Sequence, residues 1–165
     1  MLTDIETERL LLRPLREEDR QAMVDIHTDP RTNRFHPNPP DVAAASEMIS
    51  AWLAHWTEHG FGYRAVTELG GTEVLGVTGV RSREFHGEKV LNLGYRYRPE
   101  AWGKGYAVEA AQGVLDWCAR EQPSMTVLVS MAVANKPSIR VAERLGFTEY
   151  TVEPLDGALS RHYRR

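Results

Sequence analysis

A glycine-rich segment, Trp102–Ala107 (W-G-K-G-Y-A), stands between a predicted strand and a predicted helix. Its two glycines let several backbone N–H groups turn toward one concavity, because glycine reaches positive φ and has no Cβ to block an anion. The amides and the positive dipole end of the following helix would strengthen such a site for phosphate. The segment matches neither the P-loop nor the dinucleotide motif, so a plain glycine-rich turn is the alternative interpretation.

A second polar segment, Asn135–Ser138 (N-K-P-S), opens another predicted helix. Asn135 is suited to cap that helix, and a proline is tolerated in its first turn. Ser138 shares a helix face with the apolar Val141 and Leu145. A hydroxyl on such a face needs a hydrogen-bond partner, which is either backbone or a ligand.

Hydrophobic periodicity places these two segments within an alternating order of strands and helices. It predicts strands over residues 10–15, 61–68, 74–82, 90–97, 126–132, 147–152 and about 160–163, and helices over 17–27, 41–59, 105–121 and 136–145. A central meander and one β-α-β crossover predict an α/β or α+β fold with a mixed sheet. Gly79 and Gly94, inside two strands, predict either bulges or a close backbone approach.

The composition is that of one globular domain spanning residues 1–165. Twenty Lys and Arg against 23 Asp and Glu give a net charge of −3, which offers no basic surface for nucleic acid. No run approaches the roughly 18 apolar residues of a membrane span, and the charged start, residues 1–12, is not a signal peptide. The single cysteine, Cys118, excludes an internal disulfide and a cysteine-based zinc site. We therefore expect a cytoplasmic protein without a metal.

The order of these motifs resembles the GNAT superfamily of acyl-CoA-dependent N-acetyltransferases, and within it the RimJ/RimL-like branch that acetylates ribosomal-protein N-termini. The resemblance covers nearly the whole chain. It is carried by Thr7–Arg13, Gly94-Tyr95, Trp102–Ala110, Asn135–Ser138 and Leu145–Phe147. It implies the GNAT fold: a mixed, mostly antiparallel central sheet flanked by about four helices, which splays apart between the fourth and fifth predicted strands, over 90–97 and 126–132.

The resemblance implies that acetyl-CoA lies in the opening of the splayed sheet. Its pantetheine arm is expected along the backbone of Tyr95, Arg96 and Tyr97, where a bulge would free an N–H to polarise the reacting carbonyl. Asn135 is expected to bond the arm or a bound water. The pyrophosphate is expected on the amides of the glycine-rich turn, which is formed by Trp102, Gly103, Lys104, Gly105, Tyr106 and Ala107. Trp102 stands where relatives often carry Gln or Arg, so the turn loses a polar side chain there.

The resemblance also implies catalytic and acceptor-binding residues. Ser138 is expected to contact the cofactor and to protonate or hydrogen-bond the leaving thiolate, and Glu153 is the best match for a general base. Some relatives instead carry a Glu and a Tyr at the positions that Ser130 and Ala142 hold here. The acceptor amine is expected near the loop that contains Arg34, Phe35 and His36.

The predicted reaction is acetyl transfer to a primary amine by direct attack in a ternary complex. A protein α-amine has a pKa of about 7.7–8.0, against about 10.4 for lysine, so part of it is already neutral near pH 7.5. The acceptor is either such a protein N-terminus or a small amine, such as an amino-sugar or an amino-acid analogue. A non-catalytic sensor that binds acyl-CoA is the third alternative. The sequence is compatible with a monomer or a homodimer.

Overall fold

An eight-stranded mixed sheet organises the molecule, and the computed structural model describes residues 4–165. The first three residues of the predicted domain and of its charged start lie outside the described residues. The strands are β1 (Ile5–Glu6), β2 (Leu10–Pro14), β3 (Tyr63–Glu68), β4 (Gly76–Phe85), β5 (Glu88–Tyr97), β6 (Val127–Ala132), β7 (Tyr150–Leu155) and β8 (Ala158–Arg164). The helices are α1 (Arg20–Thr28), α2 (Val42–His59), α3 (Tyr106–Glu121) and α4 (Lys136–Arg144). The order of the strands across the sheet is β1-β2-β3-β4-β5-β6-β8-β7.

This architecture confirms the predicted fold class, and the differences lie at element boundaries. The two-residue β1 was not predicted, since it is too short to show a periodic pattern. Helix α1 begins at Arg20 because Glu17–Asp19 form a separate 3₁₀ turn. Helix α2 ends as predicted, with Gly60 in the left-handed conformation at φ +75°.

Helices cover both faces of the sheet because alternate strand residues point to opposite sides. Ala65 packs with α1 and α2, whereas its neighbour Val66 belongs to the larger cluster around α3 and α4. We call these the α1/α2 face and the α3/α4 face. In the part of the chain that the structure describes, no helix is long and apolar enough to cross a membrane.

Strands β4 and β5 form a long hairpin with an unbroken register from Gly76↔Tyr97 to Phe85↔Glu88. The predicted bulges at Gly79 and Gly94 are therefore wrong, and the close-approach alternative is right. A Cβ at Gly79 would lie 2.6 Å from the backbone oxygen of Gly62, and one at Gly94 would lie 2.9 Å from the Tyr63 ring. These glycines allow β3 and its side chains to pack closely against the hairpin.

The predicted splay lies between β5 and β6. The two strands are parallel and pair only at Leu91↔Val127 and Asn92↔Leu128, after which they separate. The other edge of β6 pairs with β8 along its length, from Leu128 to Ala132. The sheet is therefore continuous at one end of β5 and open at the other.

Candidate active site

A cavity of about 770 Å³ occupies the opening between β5 and β6. Its lining comes from both faces of the sheet. The α3/α4 face contributes Tyr95, Val129 and Ser138, and the α1/α2 face contributes Tyr63, Asn92 and Ser130. The cavity therefore passes through the sheet from one face to the other.

Half of the backbone groups on the last part of β5 face this opening. Leu91 N donates to Thr126 O on the β6 side, and Arg98 N donates to Leu75 O on the β4 side, each at 2.9 Å. Since backbone groups alternate along a strand, the N–H groups of Tyr95 and Tyr97 face the opening. Arg96 is opposite Val77, so its backbone faces β4 and only its side chain reaches the cavity. The splay, rather than the predicted bulge, frees these donors.

The glycine-rich turn lies at the edge of the cavity and leads into α3. Gly103 and Gly105 have φ of +78° and +77°, and nothing crowds their Cα atoms, so the left-handed backbone is what requires glycine. Gly105 caps α3 without a side chain, which leaves the first-turn amides for a ligand. The Lys104 ammonium lies 6.0 Å from the centroid of the Tyr106 ring. Five of the six predicted residues line the cavity, namely Trp102, Gly103, Gly105, Tyr106 and Ala107, whereas Lys104 does not.

Trp102 and Arg34 meet beside this turn. The Trp102 indole Nε1 donates to Tyr97 O at 2.9 Å, which ties the turn to the end of β5. The Arg34 guanidinium lies 5.1 Å from the Trp102 ring and 4.8 Å from the ring of Phe35. Arg34 was predicted to select the acceptor, but its charge lies next to the predicted phosphate site.

Asn135, Ser138 and Tyr95 join α4 to β5 across the opening. Asn135 Oδ1 accepts from Ser138 N at 3.2 Å, so the asparagine caps α4 as predicted. Ser138 Oγ donates to the Tyr95 hydroxyl at 3.2 Å, and that hydroxyl donates to Ser138 O at 2.9 Å. Burial raises the pKa of Tyr95 to about 12, so it is a neutral hydrogen-bond donor at physiological pH.

The loop between α1 and α2 closes the other side of the cavity. Asn33 anchors this loop: its Nδ2 donates to His27 O at 2.7 Å, and its Oδ1 accepts from Arg96 Nη1 at 2.8 Å. Arg34, Phe35 and His36, the three residues predicted to bind the acceptor, all line the cavity. No local sequence pattern indicates the role of Asn33, because its partner Arg96 is 63 residues away.

Polar side chains of β4, β5 and β6 meet on the α1/α2 face. Asn92 Nδ2 donates to the Tyr63 hydroxyl, and Arg83 Nη1 donates to Asn92 Oδ1, each at 2.8 Å. The same Arg83 nitrogen lies 3.3 Å from Ser130 Oγ, which lies 2.7 Å from His162 Nδ1. Sequence reasoning noted Ser130 only as the replacement for a glutamate, and it missed the pairing because strand register decides it.

Glu153, the predicted base, is not brought to this cavity. Its carboxylate Oε1 lies 2.6 Å from His86 Nε2, at the tip of the β4–β5 hairpin, and Glu153 does not line the cavity. Its strand, β7, lies at an edge of the sheet and is separated from β6 by β8. The structure therefore brings Ser138 and Ser130 into one cavity, while Glu153 lies outside the lining and bonds His86.

Cys118 and His55, two residues of types that can do chemistry, have structural roles. Cys118 is buried in α3, and burial raises the pKa of its thiol to about 12. His55 uses both ring nitrogens within the protein: Nδ1 donates to Phe61 O at 2.9 Å, and Nε2 accepts from Ser82 N at 3.0 Å. Within residues 4–165, no three His, Cys, Asp or Glu side chains are grouped to hold a metal ion.

Comparison with known proteins agrees with this geometry. Residues 9–148 match the model of the acetyltransferase (GNAT) domain family. YkkB of Bacillus subtilis (strain 168) is 29% identical over 147 residues, which cover 87% of this chain and 84% of YkkB. The solved acetyltransferase from Agrobacterium tumefaciens (strain C58) is 29% identical, with a TM-score of 0.80 over 100% of this chain and 96% of that one.

A third similar structure is RimL, the ribosomal L7/L12 alpha-N-protein acetyltransferase, solved in complex with coenzyme A. It has a TM-score of 0.78 and 18% identity, and the likeness covers 99% of this chain and 97% of RimL. At this identity the likeness shows a shared fold.

Proposed function

The chain belongs to the GNAT family of acetyltransferases, and we propose that it transfers the acetyl group of acetyl-CoA to a primary amine by direct attack in a ternary complex. The observation that carries this proposal is the splayed sheet, whose cavity is lined by residues of both faces. Direct attack requires the donor and the acceptor to be bound together, and catalysis then consists mainly of positioning and carbonyl polarisation.

The α3/α4 half of the cavity fits the cofactor. The free N–H groups of Tyr95 and Tyr97 offer strand-like pairing to an extended amide chain, as the pantetheine arm is. The amides around Gly103 and Gly105, with the Arg34 guanidinium, offer partners for phosphate. When bound, acetyl-CoA supplies an activated thioester as the acetyl donor.

Ser138 is the proposed proton or hydrogen-bond donor to the leaving sulfur. Its hydroxyl donates to Tyr95 and also lines the cavity, so rotation about the Cβ–Oγ bond can turn its hydrogen toward a ligand. Tyr95 holds the backbone of Ser138 in place and remains protonated, so it supports the hydroxyl without competing for its proton.

The acceptor lies on the α1/α2 face, under the loop that Asn33 anchors. We propose a protein N-terminal α-amine as the first class to test, since the Asn135–Ser138 motif and the likeness to RimL in fold both support membership of the RimJ/RimL-like branch. A small amine of the amino-sugar or amino-acid type is the second class.

Calorimetric titration with acetyl-CoA, followed by thiol release against N-terminal peptides and small amines, tests the proposal. We expect binding of acetyl-CoA and release of free thiol with at least one amine. Binding without turnover on any amine would favour a non-catalytic sensor of acyl-CoA. No binding of acetyl-CoA would reject the assignment of the cavity.

A further inference from the structure

The pair Ser130 and His162 on the acceptor side of the cavity has no role in the function proposed so far. The register of β6 and β8 sets the two residues directly opposite each other. Ser130 lines the cavity, whereas His162 is 2% exposed and lies behind it. Ser130 Oγ is 2.7 Å from His162 Nδ1. A substrate can therefore touch the hydroxyl but not the imidazole to which it is bonded.

The hydrogen bonds around the pair fix the direction of the proton. His162 Nε2 lies 3.2 Å from Glu153 O, and a carbonyl oxygen only accepts. In the neutral ring Nε2 therefore carries the hydrogen, and Nδ1 carries none and can accept. Arg83 Nη1, 3.3 Å from Ser130 Oγ, can only donate to that oxygen. The Ser130 hydroxyl hydrogen is left to point at His162 Nδ1, which is the arrangement of a serine beside a free base.

We propose that Ser130 and His162 together take the proton from the attacking amine, with Ser130 as the catalytic residue and His162 as the positioning residue that holds the proton. The inference rests on the proposed acetyl transfer. A C–N bond forms between the neutral amine and the thioester carbonyl carbon, and the C–S bond breaks with its electron pair on sulfur. One N–H proton passes to Ser130 Oγ while Ser130 gives its own to His162 Nδ1. The proton returns from His162 through Ser130 to the cavity and passes by way of solvent to the sulfur, which leaves an acetamide and a free thiol.

Residues of neighbouring strands enclose the pair. Arg83 from β4 places its guanidinium Nη1 3.3 Å from Ser130 Oγ. Glu153 from β7 offers its backbone oxygen to His162, while its carboxylate bonds His86 of the β4–β5 turn. Phe85 covers the imidazole with ring centroids 5.1 Å apart and excludes water from that side.

Two variants separate proton transfer from structural support. Ser130→Ala removes the hydroxyl at the cavity wall. His162→Asn keeps an oxygen that can accept from Ser130 but cannot take its proton. His86→Asn is the matched control, because it makes the same change at an exposed histidine outside the cavity, where φ of +52° suits asparagine.

We expect kcat, measured with the amine that gives the highest turnover in the peptide and small-amine panel, to fall about 100-fold in Ser130→Ala and His162→Asn. The acetyl-CoA affinity of both should stay at the wild-type value, and His86→Asn should behave as wild type. The acid limb of the kcat–pH profile should be present in the wild type and absent in both variants. A second acceptor of different amine pKa identifies that limb, since a limb that belongs to the protein does not move with the acceptor.

Each alternative gives a different result. If the wild type acetylates an amine and His162→Asn keeps the wild-type kcat and pH profile, the proton-transfer role is overturned while the proposed function stands. A loss of kcat seen only in Glu153→Gln would have the same meaning. Turnover of no amine by the wild type would overturn the proposed function itself. Acetylation of the protein by acetyl-CoA without an amine, absent in Ser130→Ala, would make Ser130 a nucleophile and also overturn the proposal.

A measurement without an acceptor covers the case in which His162→Asn does not fold. Long-range ¹H–¹⁵N NMR of the wild type reports which ring nitrogen carries the hydrogen, and Ser130→Ala identifies the His162 signals by their shift. We expect a protonated Nε2 and a bare Nδ1 at neutral pH. A hydrogen on Nδ1 would overturn the proposal, because Ser130 would then have no base.

Discussion

Gly105 gives the sharpest test of the phosphate site. Its φ of +77° costs an L side chain roughly 1–2 kcal/mol. A Cβ added there meets only Arg9 Nη2, at 3.6 Å, which is ordinary contact. Gly105→Ala therefore strains the backbone without crowding the protein. Any loss of cofactor affinity beyond this strain then reports a clash between the added methyl group and the bound cofactor.

Gly87 is the matched control for this strain. It also has φ of +77°, no atom lies within 4 Å of its added Cβ, and it is in the turn between β4 and β5, outside the cavity lining. We expect Gly105→Ala and Gly87→Ala to lose similar unfolding free energy, roughly 1–2 kcal/mol. Only Gly105→Ala should also weaken acetyl-CoA binding.

Gly105→Asp adds a negative charge to the same steric change. Two unit charges about 5 Å apart repel by about 3 kcal/mol at an effective dielectric constant of about 20, which corresponds to a loss of affinity of roughly 100-fold. Calorimetry with acetyl-CoA measures the affinity, and thermal unfolding of the same samples measures the shared strain. If Gly105→Asp binds acetyl-CoA as tightly as Gly87→Ala does, the turn does not hold the phosphates.

Three further predictions concern other parts of the molecule. Ser138→Ala should lower kcat at least tenfold with unchanged acetyl-CoA affinity, and unchanged turnover would remove its hydroxyl from the reaction. Arg34→Gln should raise the acetyl-CoA Kd by roughly tenfold and weaken its salt dependence; a change only in the acceptor KM would instead give Arg34 the originally predicted role. Burial lowers the pKa of His27 from 6.5 to about 4, so the neutral ring stabilises the fold above pH 6.5 and this contribution is lost as the pH falls toward 4. Denaturant unfolding should therefore show wild-type stability falling more steeply than that of His27→Gln across this range, by up to about 1.4 kcal/mol per pH unit, and parallel curves would contradict the assignment.

The cofactor side of the cavity was predictable from sequence because its residues are local. The glycine-rich turn and the Asn135–Ser138 segment each sit at the start of one helix, where cap and turn chemistry leave a readable pattern. The strand before each helix is also continuous in sequence and was predicted from its own pattern. The splay between residues 90–97 and 126–132 followed from the family resemblance. What these patterns could not indicate is that Arg34, from a distant loop, stacks on Trp102.

The acceptor side was less predictable because long-range register assembles it. Ser130 meets His162 across 32 residues, and Glu153 meets His86 across 67. A shift of one residue in the pairing of β8 would turn every side chain of that strand to the other face. No local pattern around residues 153 or 162 carries this information, so the sequence could not indicate that Glu153 bonds His86 outside the cavity lining.

The positions of two serines in the cavity show what the opening of the sheet makes possible. Ser138 bonds Tyr95 on the α3/α4 face, while Ser130 bonds Arg83 and His162 on the α1/α2 face. In a continuous sheet, β6 would pair with β5 along its whole length and separate these two hydroxyls completely. The divergence after Asn92 removes that barrier and leaves unpaired N–H groups of β5 between them. In the proposed reaction, a thioester held from one side then meets an amine held from the other, with Ser130 and His162 accepting a proton on the amine side and Ser138 donating on the sulfur side.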